Sequence, residues 1–114
     1  DRDSFYDAET AQRRRAGAPP FGRFAAIIIS SDDEREAIEA ARAIGGSAPE
    51  IEGMHVYGPA PAPLAMLRGR HRQRLLVHAQ RSVELQNIMR EWLGGLQFPR
   101  GVRVGVDVDP YSFL

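Results

Sequence analysis

The residues whose type and spacing point most directly to chemistry are the arginines of one short segment. Arg68, Arg70, Arg72 and Arg74 alternate through Arg68-Gly69-Arg70-His71-Arg72-Gln73-Arg74, and Arg81 follows without an intervening acid. A guanidinium is planar, permanently charged and able to donate two parallel hydrogen bonds to a phosphate or a carboxylate. Along a strand every second residue shares a face, so Arg72 and Arg74 stand about 7 Å apart on one side. That spacing suits successive phosphates of a nucleic-acid strand, and such contacts position DNA without reading its sequence. The same arginines suit a protein partner rich in carboxylates. They are also ordinary on a solvated sheet edge, where they deter edge pairing.

Asp107 and Asp109 form the one carboxylate pair with a suggestive spacing. They alternate with Val106 and Val108, so both project from one face of a strand that also carries Arg103. Two such carboxylates could take a divalent cation, but ion pairing with Arg103 or the Arg70–Arg74 group, or capping of a sheet edge, is the better reading; we treat them as structural carboxylates. His55, His71 and His78 have no metal-ligand spacing, and no metal site is expected. The chain has no lysine, so a phosphate loop of the GxxxxGK[ST] form is excluded, and GxGxxG is absent. It has no cysteine, which removes disulfides, cysteine-held zinc and a thiol nucleophile. No serine lies in a G-x-S-x-G elbow. No catalytic residue or cofactor is assigned to this chain, and a stand-alone enzyme built on Asp107 and Asp109 ranks last among the readings.

The elements that must position these arginines follow from the apolar pattern. At 114 residues and 43% hydrophobic, the chain suits one α+β domain over 1–114. A domain of this size buries roughly two-thirds of its unfolded surface. Net charge is zero but segregated: Asp32 to Glu52 holds seven acids against two arginines. The longest apolar run, Phe24 to Ile29, is of strand length. No export signal or membrane span is therefore read, and a cytoplasmic location without membrane contact is expected.

Ser4 to Arg15 reads as an amphipathic helix, ended by Gly17 and followed by the Pro-rich lead-in Ala18-Pro19-Pro20-Phe21. Phe24 to Ser30 is apolar on both faces and reads as a central strand. Asp32-Asp33 opens a helix to about Ile44, with Ala37, Ala40, Ala41 and Ile44 on its packing face. Met54 to Tyr57 reads as a short strand stopped by Gly58-Pro59. Gly58 to Pro63, with every second residue lacking an N–H, reads as a polyproline-like path outside the sheet. A hairpin-type connection at Arg68 to His71, exposing Arg68 and Arg70, leads into a strand over Gln73–His78. Ser82 is expected to cap a helix to Leu93 whose apolar face includes Leu85, Met89 and Trp92. The last strand alternates Val102, Val104, Val106 and Val108 with polar residues, and Tyr111–Leu114 forms a tail. The order predicts a ferredoxin-like split β-α-β sandwich, with two helices on one face of a four-stranded sheet plus the N-terminal helix. The order of strands in the sheet is not legible.

The chain resembles the C-terminal domain of primosomal protein N′, the bacterial replication-restart DNA helicase. The likeness rests on Phe5-Tyr6 with Glu9 and Arg13 or Arg14, on Ala18-Pro19-Pro20-Phe21, and on Gly58-Pro59-Ala60-Pro61-Ala62-Pro63 with Arg68-Gly69-Arg70-His71-Arg72-Gln73-Arg74-Leu75-Leu76-Val77. It also rests on Leu85-Gln86 and the closing Asp107-Val108-Asp109-Pro110. Where many relatives carry tyrosine, this chain has Ala18 and His71, which weakens any stacking role there. The resemblance implies a fold like that of ribosomal protein S10. It implies a parent protein that is an ATP-dependent 3′–5′ helicase using magnesium and carrying zinc, with none of those motifs in this chain. It implies contact with branched DNA such as forks and D-loops, with other primosome proteins, and with helicase lobes of the same polypeptide. It also implies docking of the acidic C-terminal tail of single-stranded DNA-binding protein. Gln86 matches a position of that docking pocket. The pocket's arginine would fall at Ser82, with Arg81 one residue earlier. Two expectations follow: an auxiliary DNA-binding domain using Arg68, Arg70, Arg72 and Arg74, or a purely protein-docking module using Arg81 and Gln86.

Overall fold

A strand that is apolar on both sides belongs in the middle of a sheet. The computed structural model, which describes residues 22–108, places β1 (Arg23–Ser31) there. The expected N-terminal helix, the Pro-rich lead-in, Asp109 and the Tyr111–Leu114 tail lie outside the described residues. The remaining elements are α1 (Glu34–Gly46), β2 (Met54–Leu67), β3 (Arg70–Ala79), α2 (Leu85–Gly94) and β4 (Arg103–Val108). The sheet order is β2-β3-β1-β4 and every neighbouring pair is antiparallel. This is an α+β fold with the expected β-α-β-β-α-β order. β2 and β4 are its edges.

The helices share one face of the sheet. Ala25, Ile27 and Ile29 of β1, Leu75, Val77 and Ala79 of β3, and Met54 of β2 meet Ala40, Ala41 and Ile44 of α1 and Leu85, Met89 and Trp92 of α2 in a single cluster. The alanines of α1 keep that helix close to the strands, so Ile27, Ile29, Ile44, Leu75 and Leu85 are fully buried. Asp33 caps α1 by accepting from the Glu36 N–H at 3.2 Å. The buried Ser31 hydroxyl accepts from the Asp33 N–H and donates to Glu36 Oε1 at 2.7 Å, so both of its hydrogen-bonding roles are filled. Glu34 and Glu36 in the first turn complement the helix dipole.

Three expectations need correction. β2 does not stop at Gly58-Pro59. It continues through the prolines to Leu67, with register shifts between Tyr57 and Ala60 and between Pro61 and Met66. β2 is an edge strand, and a residue without an N–H is tolerated where one side of the strand has no partner. Ser82 does not cap α2, which starts at Leu85 with Glu84 at the cap position and no side-chain cap bond. The turn that delivers the chain from β3, closed by Val83 N–H to the Gln80 carbonyl at 2.9 Å, takes up the residues before it. Finally, Val106 breaks the half-buried alternation of β4. Val104 and Val108 pack against the core, whereas Val106 is exposed. β4 is an edge strand, and α1 packs chiefly on β1, β2 and β3.

Trp92 ties the two helices together. Its indole N–H donates to the Ile44 carbonyl at 3.2 Å and to Ser47 Oγ at 3.1 Å, close to the end of α1. Replacing Trp92 with phenylalanine keeps much of the apolar contact and removes the donor. The expected cost is about 1–3 kcal/mol, read as a lowered urea midpoint with an unchanged m-value.

Candidate nucleic-acid interface

The β2–β3 hairpin carries the whole arginine segment. From Met54 to Ala79 it holds four arginines, all three histidines of the chain and no acid. β2 and β3 join through Arg68 and Gly69, whose φ values are +54° and +81°. Two central residues at positive φ mark a two-residue turn of the primed type, which matches the twist of the flanking strands. Glycine is at home there. Arg68 sits in the left-handed region at a cost of about 1–2 kcal/mol. As expected, it is exposed at the tip.

The register decides which side the arginines take. Leu75, Val77 and Ala79 point to the core, so Arg70, Arg72 and Arg74 lie on the opposite, helix-free face of β3 with Leu76 and His78. No described element packs on that face. It is graded along the strands. Toward the end of β3, His78 stacks on Phe24 with ring centroids 4.6 Å apart, and Tyr57 stands across from Leu76. Toward the hairpin tip the face is arginine.

The four arginines do different things. Arg70 is not a free tip residue. Its Nε donates to Ser30 Oγ at 3.1 Å, and its Nη2 donates to the carbonyls of Ser30 at 2.8 Å and Gly101 at 2.9 Å. Ser30 lies across from Arg72, so Arg70 sits beyond it and reaches over the end of β1 to the loop that feeds β4. Arg72 donates through Nη1 to the carbonyls of Pro63 at 2.7 Å and Leu64 at 3.0 Å. Those carbonyls fall in the stretch where β2 slips out of register, and the guanidinium takes the place of the ladder. Arg68 and Arg74 make no such bonds among the described residues, and their donors are available.

The fold adds a cation that the sequence reading had assigned to an ion pair. Ser30 of β1 faces Arg72 on one side and Arg103 on the other. Arg103 is therefore on the helix-free face two strands away from Arg72, roughly 10 Å across the sheet. The alternation of β4 gave its side; the strand order, which gives its neighbours, had no signal in the sequence. Asp107 shares that face opposite Ala26, is exposed, and makes no ion pair among the described residues. It stands four residues from Arg103, about 13 Å along a strand, so the expected pairing between them does not form. Asp109 lies outside the described residues.

Arg81 and Gln86 are both exposed, Arg81 in the turn after β3 and Gln86 in the first turn of α2. They follow the end of β3 remote from the hairpin turn, about 30 Å away along a ten-residue strand. The fold thus separates the two sets of candidate residues. No group of three or more metal-binding side chains occurs among the described residues. No helix among them is long and apolar enough to cross a membrane. A groove of about 580 Å³ beside the start of β2 carries Glu50, Glu52 and His55 but no serine, threonine or tyrosine hydroxyl.

Arg70→Ala should lower stability by about 1–3 kcal/mol, because it leaves two carbonyls and a hydroxyl without their donor. Arg70→Lys should not restore it, since an ammonium cannot reproduce the planar fork. Arg74→Ala should stay within about 0.5 kcal/mol of the parent chain. Urea unfolding of the three variants checks all of this.

Comparison with known proteins bears on the same residues. The family model described as "Primosomal protein N C-terminal domain" matches residues 14–111. The chain is 34% identical over 113 residues to the replication restart protein PriA of Rickettsia felis, covering 99% of this chain and 17% of that protein. It is 35% identical over 116 residues to the PriA of Treponema pallidum, covering 100% of this chain and 18% of that protein. Identity to the PriA of Bacillus subtilis is 23% over 119 residues, with 100% and 15% covered. The chain therefore spans about a sixth of the length of these curated relatives. With the α+β architecture and the acid-free hairpin in place, these matches show that the chain belongs to the family of primosomal protein N′ C-terminal domains.

Proposed function

We propose that this domain contacts the phosphates of branched DNA within a replication-restart protein, with the arginine end of its helix-free sheet face as the contact surface. The observation that carries the reading is the acid-free hairpin whose Arg68 and Arg74 retain free donors, with Arg103 on the same face. Arg70 and Arg72 bond carbonyls yet keep their charge, so both add to the local field; Arg70 has its Nε–Nη2 edge taken, whereas Arg72 bonds through Nη1 alone. The domain is not itself an enzyme. ATP hydrolysis, helicase movement, magnesium and zinc belong to the remainder of a PriA-type protein, whose helicase lobes are proposed neighbours of this domain. Abandoned forks and D-loops, and the primosome proteins assembled on them, are the proposed setting, in the cytoplasm.

A second role is docking the acidic C-terminal tail of single-stranded DNA-binding protein. Arg81 and Gln86 flank the start of α2, where Glu84 provides no side-chain cap and instead accepts from Asn87 at 2.9 Å. A terminal carboxylate is well matched by a guanidinium beside a helix start. Because this site is far from the hairpin turn, an Arg81→Glu variant should lose the heat of binding to such a tail peptide in calorimetry and keep its DNA affinity. Loss of both would merge the two sites and refute the separation.

The DNA reading is tested by fluorescence anisotropy of labelled fork DNA titrated with the chain at low and moderate salt. Binding should be salt-sensitive and stronger than to plain duplex. Arg68→Glu combined with Arg74→Glu should weaken it strongly, and each lost phosphate contact should reduce the salt slope by about 0.9. Unchanged affinity in the double variant would remove the hairpin as the contact surface. No binding by the parent chain at low salt would leave docking as the domain's role.

A further inference from the structure

The hairpin tip carries a feature that phosphate contact does not use. Among the described residues, the only non-glycine positions with positive φ are Leu64, at +55°, and Arg68. Leu64, Met66 and Leu67 are 70%, 54% and 41% exposed, and they are three of the five large exposed hydrophobics among the described residues. Single exposed leucines are ordinary on a protein surface, but three within four residues make an apolar patch around the end of the hairpin, with Met66, across from His71, and Leu67, across from Arg70, on opposite faces of it. The backbone beneath this patch is held from three sides. Ala62 is buried, Arg72 bonds the carbonyls of Pro63 and Leu64, and the Arg68-Gly69 turn closes the end. A leucine kept in the left-handed region at a cost of about 1–3 kcal/mol, with its side chain in solvent, is a group presented to something.

We infer that Leu64, Met66 and Leu67 form an apolar wedge that stacks against the terminal base pair exposed where the arms of a branched DNA meet, with Arg68 on the adjoining phosphate. Charge complementarity selects this occupant. The hairpin that carries the knob has four arginines and no acid, so it is drawn to a polyanion. Leucine and methionine are among the side chains that enter base steps. At a junction the last base pair already lacks one stacking neighbour, so covering it costs less than opening an intact duplex. A pre-formed wedge loses little entropy on contact. This deepens the DNA-contacting reading and rests on it: phosphates would supply attraction, and the wedge would supply preference for branches.

The test uses the 114-residue chain and fork DNA with 2-aminopurine in the base pair beside the junction, followed by fluorescence and, in parallel, by anisotropy. Saturation should change the 2-aminopurine signal at the junction and leave a probe in the middle of an arm unaffected. A Leu64→Ser, Met66→Ser variant should keep its unfolding midpoint, since both side chains are exposed. It should lose the junction signal, and bind fork and plain duplex equally. A flat 2-aminopurine signal with full anisotropy binding would overturn the wedge while leaving phosphate contact intact. No anisotropy change at low salt would overturn both readings. A parent chain that sediments as a dimer, with the serine variant a monomer, would make a second copy the occupant and overturn the wedge.

Discussion

Prolines at 59, 61 and 63 remove three backbone donors from a strand that must still close a hairpin. Everything distinctive about the candidate site follows from how that shortage is met. The strand lies at the sheet edge, where missing donors on the open side need no partner. Its ladder slips twice, and in the second slip the carbonyls of Pro63 and Leu64 accept from the Arg72 guanidinium in place of a β3 backbone N–H. A guanidinium can do this because it offers several donors on a long arm and does not lose its charge by using them. The irregular stretch is thereby fixed rather than frayed, and Leu64, Met66 and Leu67 are carried into solvent.

The arginines therefore cannot be treated as one equivalent row. Arg70 fastens the end of β1 to the loop before β4, and Arg72 fastens the Pro-rich strand, so both position other groups. Arg68 and Arg74 make no such bonds among the described residues and, with Arg103 across the sheet, are the side chains proposed to meet phosphate. A charge-reversal experiment on Arg70 or Arg72 would confuse loss of fold with loss of binding. The zero net charge of the chain conceals this division. What an approaching polyanion would meet is the field of an acid-free hairpin, not the sum over all residues.

Much of the fold was legible from local pattern. The apolar run of β1, the helix start at Asp32-Asp33, the small face of α1 and the face containing Leu85, Met89 and Trp92 were all read correctly, because burial and helix starts leave marks within a few residues. The sheet order was not legible, since pairing is decided by tertiary contact, and with it went the placement of Arg103 beside the arginines of β3. The proline alternation argued against a strand by a sound rule that fails only at an edge, and edges cannot be identified before the order is known. Ser82 has the chemistry of a cap, but the turn after β3 needs those residues first. The roles of Arg81 and Gln86 came from family resemblance alone; nothing in their spacing distinguishes them from solvated residues.

A residue-resolved map of contact separates the hairpin from the start of α2 as the surface proposed to meet DNA. Two-dimensional NMR of the isotopically labelled chain, recording backbone amides and arginine side-chain N–H groups, would be followed through a titration with fork DNA. Arg68, Arg74 and Arg103 are expected to shift together with the amides of the hairpin tip, while Arg81 and the first turn of α2 stay still. Shifts gathered around Arg81 and Gln86, with the hairpin silent, would refute the hairpin as the contact surface.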